Sequence, residues 1–192
     1  PKERAEHVRL EFAAVATHAT VFCNGVPVGT HLGGWTPFRC EITSALKWDG
    51  NDAIEVRVDE KVGHNTQGFL PIVQPHFGGI WQSVTLCVDR GPVLDRLGVF
   101  LFGDAGGKLQ FSIPVLGAVA GQTAGQTKGE IAILDGTTVL SRTNITLTDG
   151  APFAGTLEFA GIEPWSPTNP RLYTVRFAVL DGTRELDHYE RK

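Results

Sequence analysis

Apolar and polar residues alternate in short runs, and the runs are separated by glycine, proline, asparagine or aspartate every ten residues or so. The period is two rather than 3.6, which predicts strands and almost no helix. Thr20–Cys23 and Val26–Gly29 flank Asn24-Gly25. That dipeptide tolerates positive φ and suits a two-residue type I′ turn, so the stretch reads as a hairpin. Ala53–Asp59 places Ile54, Val56 and Val58 on one face and Glu55, Arg57 and Asp59 on the other, the alternation of a half-buried antiparallel strand. Val8–Ala14 reads as an earlier strand. Glu60–Phe77 has no clear period, and a structureless run of that length inside a compact domain is often functional.

Gly91-Pro92 marks a domain boundary, giving domains 1–91 and 92–192. Beyond it seven candidate strands follow: Leu94–Leu101, Lys108–Leu116, Lys128–Leu134, Thr137–Leu147, Ala151–Phe159, Arg171–Leu180 and Thr183–Glu190. Seven short strands in about 100 residues is an immunoglobulin-like count. No Cys lies in this half, so such a domain depends on apolar packing rather than an inter-sheet disulfide. Gly117–Gly129 reads as a flexible hairpin loop.

Composition narrows the function classes. A chain of 192 residues with 42% hydrophobic content can bury one or two cores. Residues 1–91 carry 8 Lys and Arg against 10 Asp and Glu, and residues 92–192 carry 9 against 11. With no basic stripe, nucleic acid is not an expected partner. The apolar runs are strand-sized, so no membrane span is expected. Pro1–His7 is charged rather than apolar, so no signal peptide is read there. The chain starts on Pro and holds no Met, which reads as a piece of something longer and leaves the compartment open. Cys23, Cys40 and Cys87 lack metal-ligand spacing and read as small apolar residues in strands. No Gly-rich loop opens a helix and no Ser or Cys lies in a nucleophile elbow, so no catalytic residue, cofactor or metal is assigned.

Three ordered sets of residues carry a resemblance. The first is Ala19, Val21, Asn24, Gly25, Val28, Gly29, His31, Gly33, Gly34, Pro37 and Phe38, continued by Ile42, Thr43, Leu46, Asn51 and Val56-Arg57-Val58-Asp59. The second is Gly78-Gly79-Ile80-Trp81 with Val84 and Leu86, and the third is Trp165-Ser166-Pro167, Pro170, Leu172 and Tyr173. Together they resemble glycoside hydrolase family 2, the β-galactosidases, β-glucuronidases and β-mannosidases, over nearly the whole chain. The resemblance implies an all-β fold: a partial jelly-roll (galactose-binding-like) β-sandwich followed by an immunoglobulin-like β-sandwich. In the family the chemistry belongs to a following (β/α)₈ barrel of roughly 250 residues. Its two glutamates stand about 5–5.5 Å apart for a retaining mechanism. Nothing in this chain matches their motifs. The expected role is therefore non-catalytic support of that barrel, with carbohydrate as the parent's substrate and a homo-oligomer as a further partner. The resemblance also implies strands before Val8–Ala14 that are missing here, which would leave a sheet edge and part of a core uncovered.

The resemblance points to Asp59 as a sugar contact, because a carboxylate accepts two hydrogen bonds from neighbouring hydroxyls. A solvated strand-end carboxylate explains the same residue. His64 and Gln67, with His76, could line the same rim, though loop polar residues are commonly just hydrated. Asn24 and Gly25 read as turn formers, and His31 as a hydrogen-bonding group within the sandwich. Trp35, Phe38 and Trp81 read as core or inter-domain packing rather than a stacking platform, and Trp165 as a plug for the end of the second sandwich. A free-standing carbohydrate-binding module and a ligand-free pair of sandwiches remain the rival readings.

Overall fold

A computed structural model of the chain describes residue 5 and residues 7–60, 78–117, 127–148 and 150–192. These form two compact units, Pro1–Arg90 and Gly91–Lys192. Both are built of strands, and the regular helical structure among the described residues is one short 3₁₀ turn at Thr43–Ala45.

The first unit holds β1 (His7–Phe12), β2 (Val15–Ala16), β3 (His18–Cys23), β4 (Val26–Leu32), β5 (Phe38–Glu41), β6 (Ile54–Asp59), β7 (Gly79–Ile80) and β8 (Val84–Asp89). Two three-stranded antiparallel sheets, β5-β1-β8 and β4-β3-β6, make the sandwich, and β2 pairs with β7 beside them. The period-two pattern decides which side chains go inside. Val8, Leu10 and Phe12 from β1 meet Ala19, Val21 and Cys23 from β3, with Phe38, Cys40 and Ile42 filling between. Each large apolar side chain buried in this way contributes about 1.5–3 kcal/mol.

The β3–β4 hairpin turns at Asn24 and Gly25 with φ of +52° and +78°, the two positive values a type I′ turn requires. On β4, Gly29 is required by packing: a Cβ there would lie 2.4 Å from the Cys40 sulfur of β5. That close approach brings the β4 and β5 edges of the two sheets together. Next to it Phe12, Phe38 and His31 stack in a column, with ring centroids 4.7 and 4.4 Å apart.

At the opposite edge β8 is an outer strand whose Val84, Leu86 and Val88 are 42%, 54% and 39% exposed, an uncovered edge of the kind the resemblance implies.

The second unit holds β9 (Val93–Leu94), β10 (Phe100–Gly103), β11 (Lys108–Ile113), β12 (Val115–Leu116), β13 (Thr127–Asp135), β14 (Thr138–Thr146), β15 (Phe153–Glu158), β16 (Thr174–Asp181) and β17 (Arg184–Arg191). A three-stranded sheet, β10-β11-β15, faces a four-stranded one, β14-β13-β16-β17, and β12 pairs with β9. Phe111, Phe153 and Phe177 centre the core, with ring centroids 5.5–5.7 Å apart. Gly129 on β13 leaves room for this cluster, since a Cβ there would come within 2.7 Å of the Phe153 ring. All seven predicted strands form, the first two each broken into a short and a longer piece. The break in the second falls at Pro114, whose carbonyl accepts the Asp95 amide at 2.8 Å.

Candidate functional site

One end of the first unit collects the polar and aromatic groups that the sequence singles out. Asp59 is the last residue of β6 and lies opposite His18 on β3, which in turn lies opposite Leu32 on β4. The backbone continues the same row: the Asp59 carbonyl accepts the Thr17 amide at 3.4 Å, and the Thr17 carbonyl accepts the Gly33 amide at 2.9 Å. Gly33, at φ +133°, starts the glycine pair that leads into Trp35. Trp81 follows β7 and donates its indole N–H to the Gly34 carbonyl at 2.9 Å. Its ring meets Trp35 edge-on, with centroids 4.9 Å apart and planes at 74°. Asp59 and His18 are exposed, and Trp35 is 55% exposed. The end of the sandwich thus presents a carboxylate, an imidazole and an indole face on one rim.

His64 and Gln67, and with them His76, lie outside the described residues, so of the three proposed sugar contacts only Asp59 has a place in the fold. His18 is a member of the rim that the sequence reading missed. Its signal was the period of β3 itself, which runs two residues further back than Thr20. Trp35 corrects the packing reading: it is largely exposed, whereas Phe38 is buried as predicted. His31 bonds within the sandwich as expected, its Nε2 3.0 Å from the Thr36 hydroxyl. Burial in the aromatic column lowers the His31 pKa, and the Thr36 contact opposes that shift in part.

The second unit has a cavity of about 610 Å³ lined among others by Phe159, Glu163, Trp165, Arg171 and Tyr173. Its wall is a loop held by its own polar groups. Ser166 and Asn169 exchange two backbone hydrogen bonds of 3.0 Å, the Asn169 side chain donates to Glu163 at 3.1 Å, and the Tyr173 hydroxyl accepts the Glu163 amide at 3.0 Å. Arg171 bridges Asp135 and Glu163 and lies over the Tyr173 ring, 5.7 Å from its centroid. Hydrogen bonds to Asp135 and then Glu163 raise the Arg171 pKa, while Arg171 and Asn169 hold the Glu163 carboxyl below its ordinary range. Trp165 is not a plug. It is 58% exposed at the cavity mouth, with Leu172 equally exposed beside it, because the prolines on either side and the Ser166–Asn169 bridge turn it outward.

A general acid needs a carboxyl whose pKa is raised by burial or by a like charge. At the cavity Glu163 is shifted the other way, by hydrogen bonds from Arg171 and Asn169 to its charged form. Among the described residues no group of three His, Cys, Asp or Glu side chains is placed to hold a metal ion.

Residues 103–192 match the family model of the glycosyl hydrolases family 2. A β-glucuronidase of Formosa agariphila is 25% identical over an alignment taking in 99% of this chain and 22% of the relative. A β-galactosidase of Thermoanaerobacter pseudethanolicus is 28% identical over 97% of this chain and 25% of its own length. The chain is similar to glycosyl hydrolases family 2.

Solved structures agree on the fold. A family 2 member from Bacteroides cellulosilyticus superposes with a TM-score of 0.70 at 21% identity, over 98% of this chain and 24% of that one. A putative β-galactosidase from Bacteroides fragilis gives 0.71 at 22% identity, over 96% and 29%. The chain thus spans about a quarter of the length of these relatives, and its described residues are built of β-strands.

Proposed function

We propose that the chain is the non-catalytic supporting part of a family 2 glycoside hydrolase, an enzyme that hydrolyses O-glycosyl bonds in carbohydrate. One observation carries the reading: relatives named β-glucuronidase and β-galactosidase align with almost all of this chain, while it covers only about a quarter of them. In the parent the two sandwiches buttress a (β/α)₈ barrel that supplies the two carboxylates, and the chain contributes to subunit contacts in a homo-oligomer. The rim at the end of the first unit forms one wall of the sugar pocket. Asp59 accepts hydrogen bonds from sugar hydroxyls there, and His64 and Gln67 are the further sugar contacts of this reading. The exposed Asp59 and Trp35 support the pocket wall.

A second reading, a sugar-binding module active alone, draws on the half-exposed indoles of Trp35 and Trp165, since exposed aromatic faces stack on pyranose rings. Two assays separate the readings. With p-nitrophenyl β-galactopyranoside and β-glucuronide, the 192-residue chain is expected to release nitrophenol no faster than buffer; turnover would overturn the supporting role. In calorimetry with lactose and glucuronic acid, a Kd between about 1 mM and 1 μM, worth roughly −4 to −8 kcal/mol, would establish the module. No heat under the same conditions favours a wall that needs the barrel opposite it.

A further inference from the structure

The β3–β4 turn of the first unit carries a reactive dipeptide. Of the chain's asparagines only Asn24 is followed by glycine. In such a pair the glycine backbone nitrogen attacks the asparagine Cγ, since no side chain on the glycine obstructs it. The N–Cγ bond forms, the Cγ–Nδ2 bond breaks, and Nδ2 leaves as ammonia with the proton of the glycine N–H. Water then opens the five-membered imide at either carbonyl. One opening leaves aspartate, and the other leaves isoaspartate, in which a methylene group has entered the main chain.

The fold opposes each part of that reaction. Asn24 stands at φ +52°, in the left-handed region where ψ lies near about +47°. Ring closure needs ψ rotated well out of that region, which a closed type I′ turn does not permit. The side chain is fixed as well: Nδ2 donates to the Ala45 carbonyl and to Asp52, and Oδ1 accepts the Ala53 amide. The Asn24 N–H donates to the Ala53 carbonyl at 2.8 Å, so the main chain is gripped with it. Hydrogen bonds from the Lys47 amide and then from Asn24 hold the Asp52 carboxyl below its ordinary range, which keeps it an acceptor. Access of water is not the limit, because Gly25 is exposed and a Cβ there would meet nothing within 4 Å.

We infer that Asn24 is a deamidation site gated by opening of the β3–β4 hairpin, silent while the turn is closed and committed once it has reacted. In the aspartate product an oxygen replaces Nδ2 and confronts the Ala45 carbonyl and the Asp52 carboxylate, two acceptors where a donor is needed. In the isoaspartate product the lengthened main chain no longer fits a two-residue turn. Hairpins open and close far faster than an amide is lost, so the rate in the folded chain is that of the open chain multiplied by the open fraction. The modification therefore marks copies in which this hairpin has opened. It rests on nothing about glycosides.

The test holds the 192-residue chain in mildly alkaline buffer, with and without guanidinium chloride. Mass spectrometry follows the replacement of NH₂ by OH in the tryptic peptide 10–39, whose one asparagine is Asn24. Closing the turn makes three side-chain hydrogen bonds, so the folded chain is expected to react about a hundredfold more slowly than the unfolded one. Asp52→Ala removes one partner and leaves the dipeptide untouched, and its folded chain should react about fivefold faster than the parent. A single rate for folded and unfolded chains, or a folded rate that Asp52→Ala does not change, would overturn the gate. An unfolded chain that stays unmodified would remove the site altogether. Should Asp52→Ala fail to fold, the parent in guanidinium chloride below its unfolding midpoint serves instead. Its rate should rise in proportion to amide exchange at Asn24, and a rate indifferent to that exchange counts against the gate. The committed step is read from chain converted in denaturant and returned to buffer: amide protection in β3 and β4 should be lower than in the parent. Equal protection would show that the anchor accepts the product, and the inference would fail.

Discussion

His31 shows how a motif histidine acts through its surroundings. Its ring lies against Phe38 in a column that continues to Phe12, and its Nε2 is 3.0 Å from the Thr36 hydroxyl. Burial favours the neutral imidazole and lowers its pKa. The unfolded chain binds a proton here at about pH 6.5, but the folded chain does so only at lower pH. Through that window the unfolded state holds more protons, so stability falls as pH falls. The urea midpoint of the first unit is therefore expected to drop between about pH 7.5 and 5.5 by more in the parent chain than in His31→Asn. Equal drops would show that His31 is not the group responsible. Gly29 belongs to the same motif for a different reason, since the Cys40 sulfur occupies the space its Cβ would need.

The β3–β4 hairpin was readable as a turn, but its largest role was not. Asn24-Gly25 announces positive φ from the dipeptide alone, and both angles are as expected. Nothing local reveals that the Asn24 amide also reaches two distant segments of the chain. Its Nδ2 donates to the Ala45 carbonyl and to Asp52, each at 2.8 Å, and its Oδ1 accepts the Ala53 amide at 3.0 Å. Those partners lie 21 to 29 residues on, so only the folded register brings them in reach. Asn24→Ala should lose both the hydrogen bonds and the tolerance of φ +52°, at a cost of about 2–4 kcal/mol. Asn24→Gly keeps the turn and loses only the bonds, so its cost should be smaller by about 1 kcal/mol. Equal costs from urea unfolding would mean that the backbone angle is immaterial. The second unit holds a comparable device twice. Leu134-Asp135-Gly136-Thr137 and Leu180-Asp181-Gly182-Thr183 each turn a hairpin on a glycine of positive φ, next to a bulge in its ladder.

For the chain as a whole, alternation and turn residues were enough to place the strands, because both are local. What stayed hidden were consequences of pairing across distance: which strands are outer ones, that Trp35 and Trp165 face outward, and that His18 joins Asp59 on one rim. At the candidate rim the resemblance points to the carboxylate alone, and the neighbouring groups follow only from register. The chain divides into two units, Pro1–Arg90 and Gly91–Lys192, and the cores bear on what that division means energetically. The cluster around Phe12 and Val21 shares no residue with the cluster around Phe111, Phe153 and Phe177. Phe177 is fully buried and touches both other rings of its cluster, so Phe177→Ala removes contacts that no neighbouring side chain can replace. Such a truncation costs about 3–5 kcal/mol. Because the cores are separate, the loss should appear as faster amide exchange in β11, β13, β15 and β16, while β1 and β3 keep their protection. Uniform loss of protection over all six strands would show instead that the two units unfold as one cooperative body.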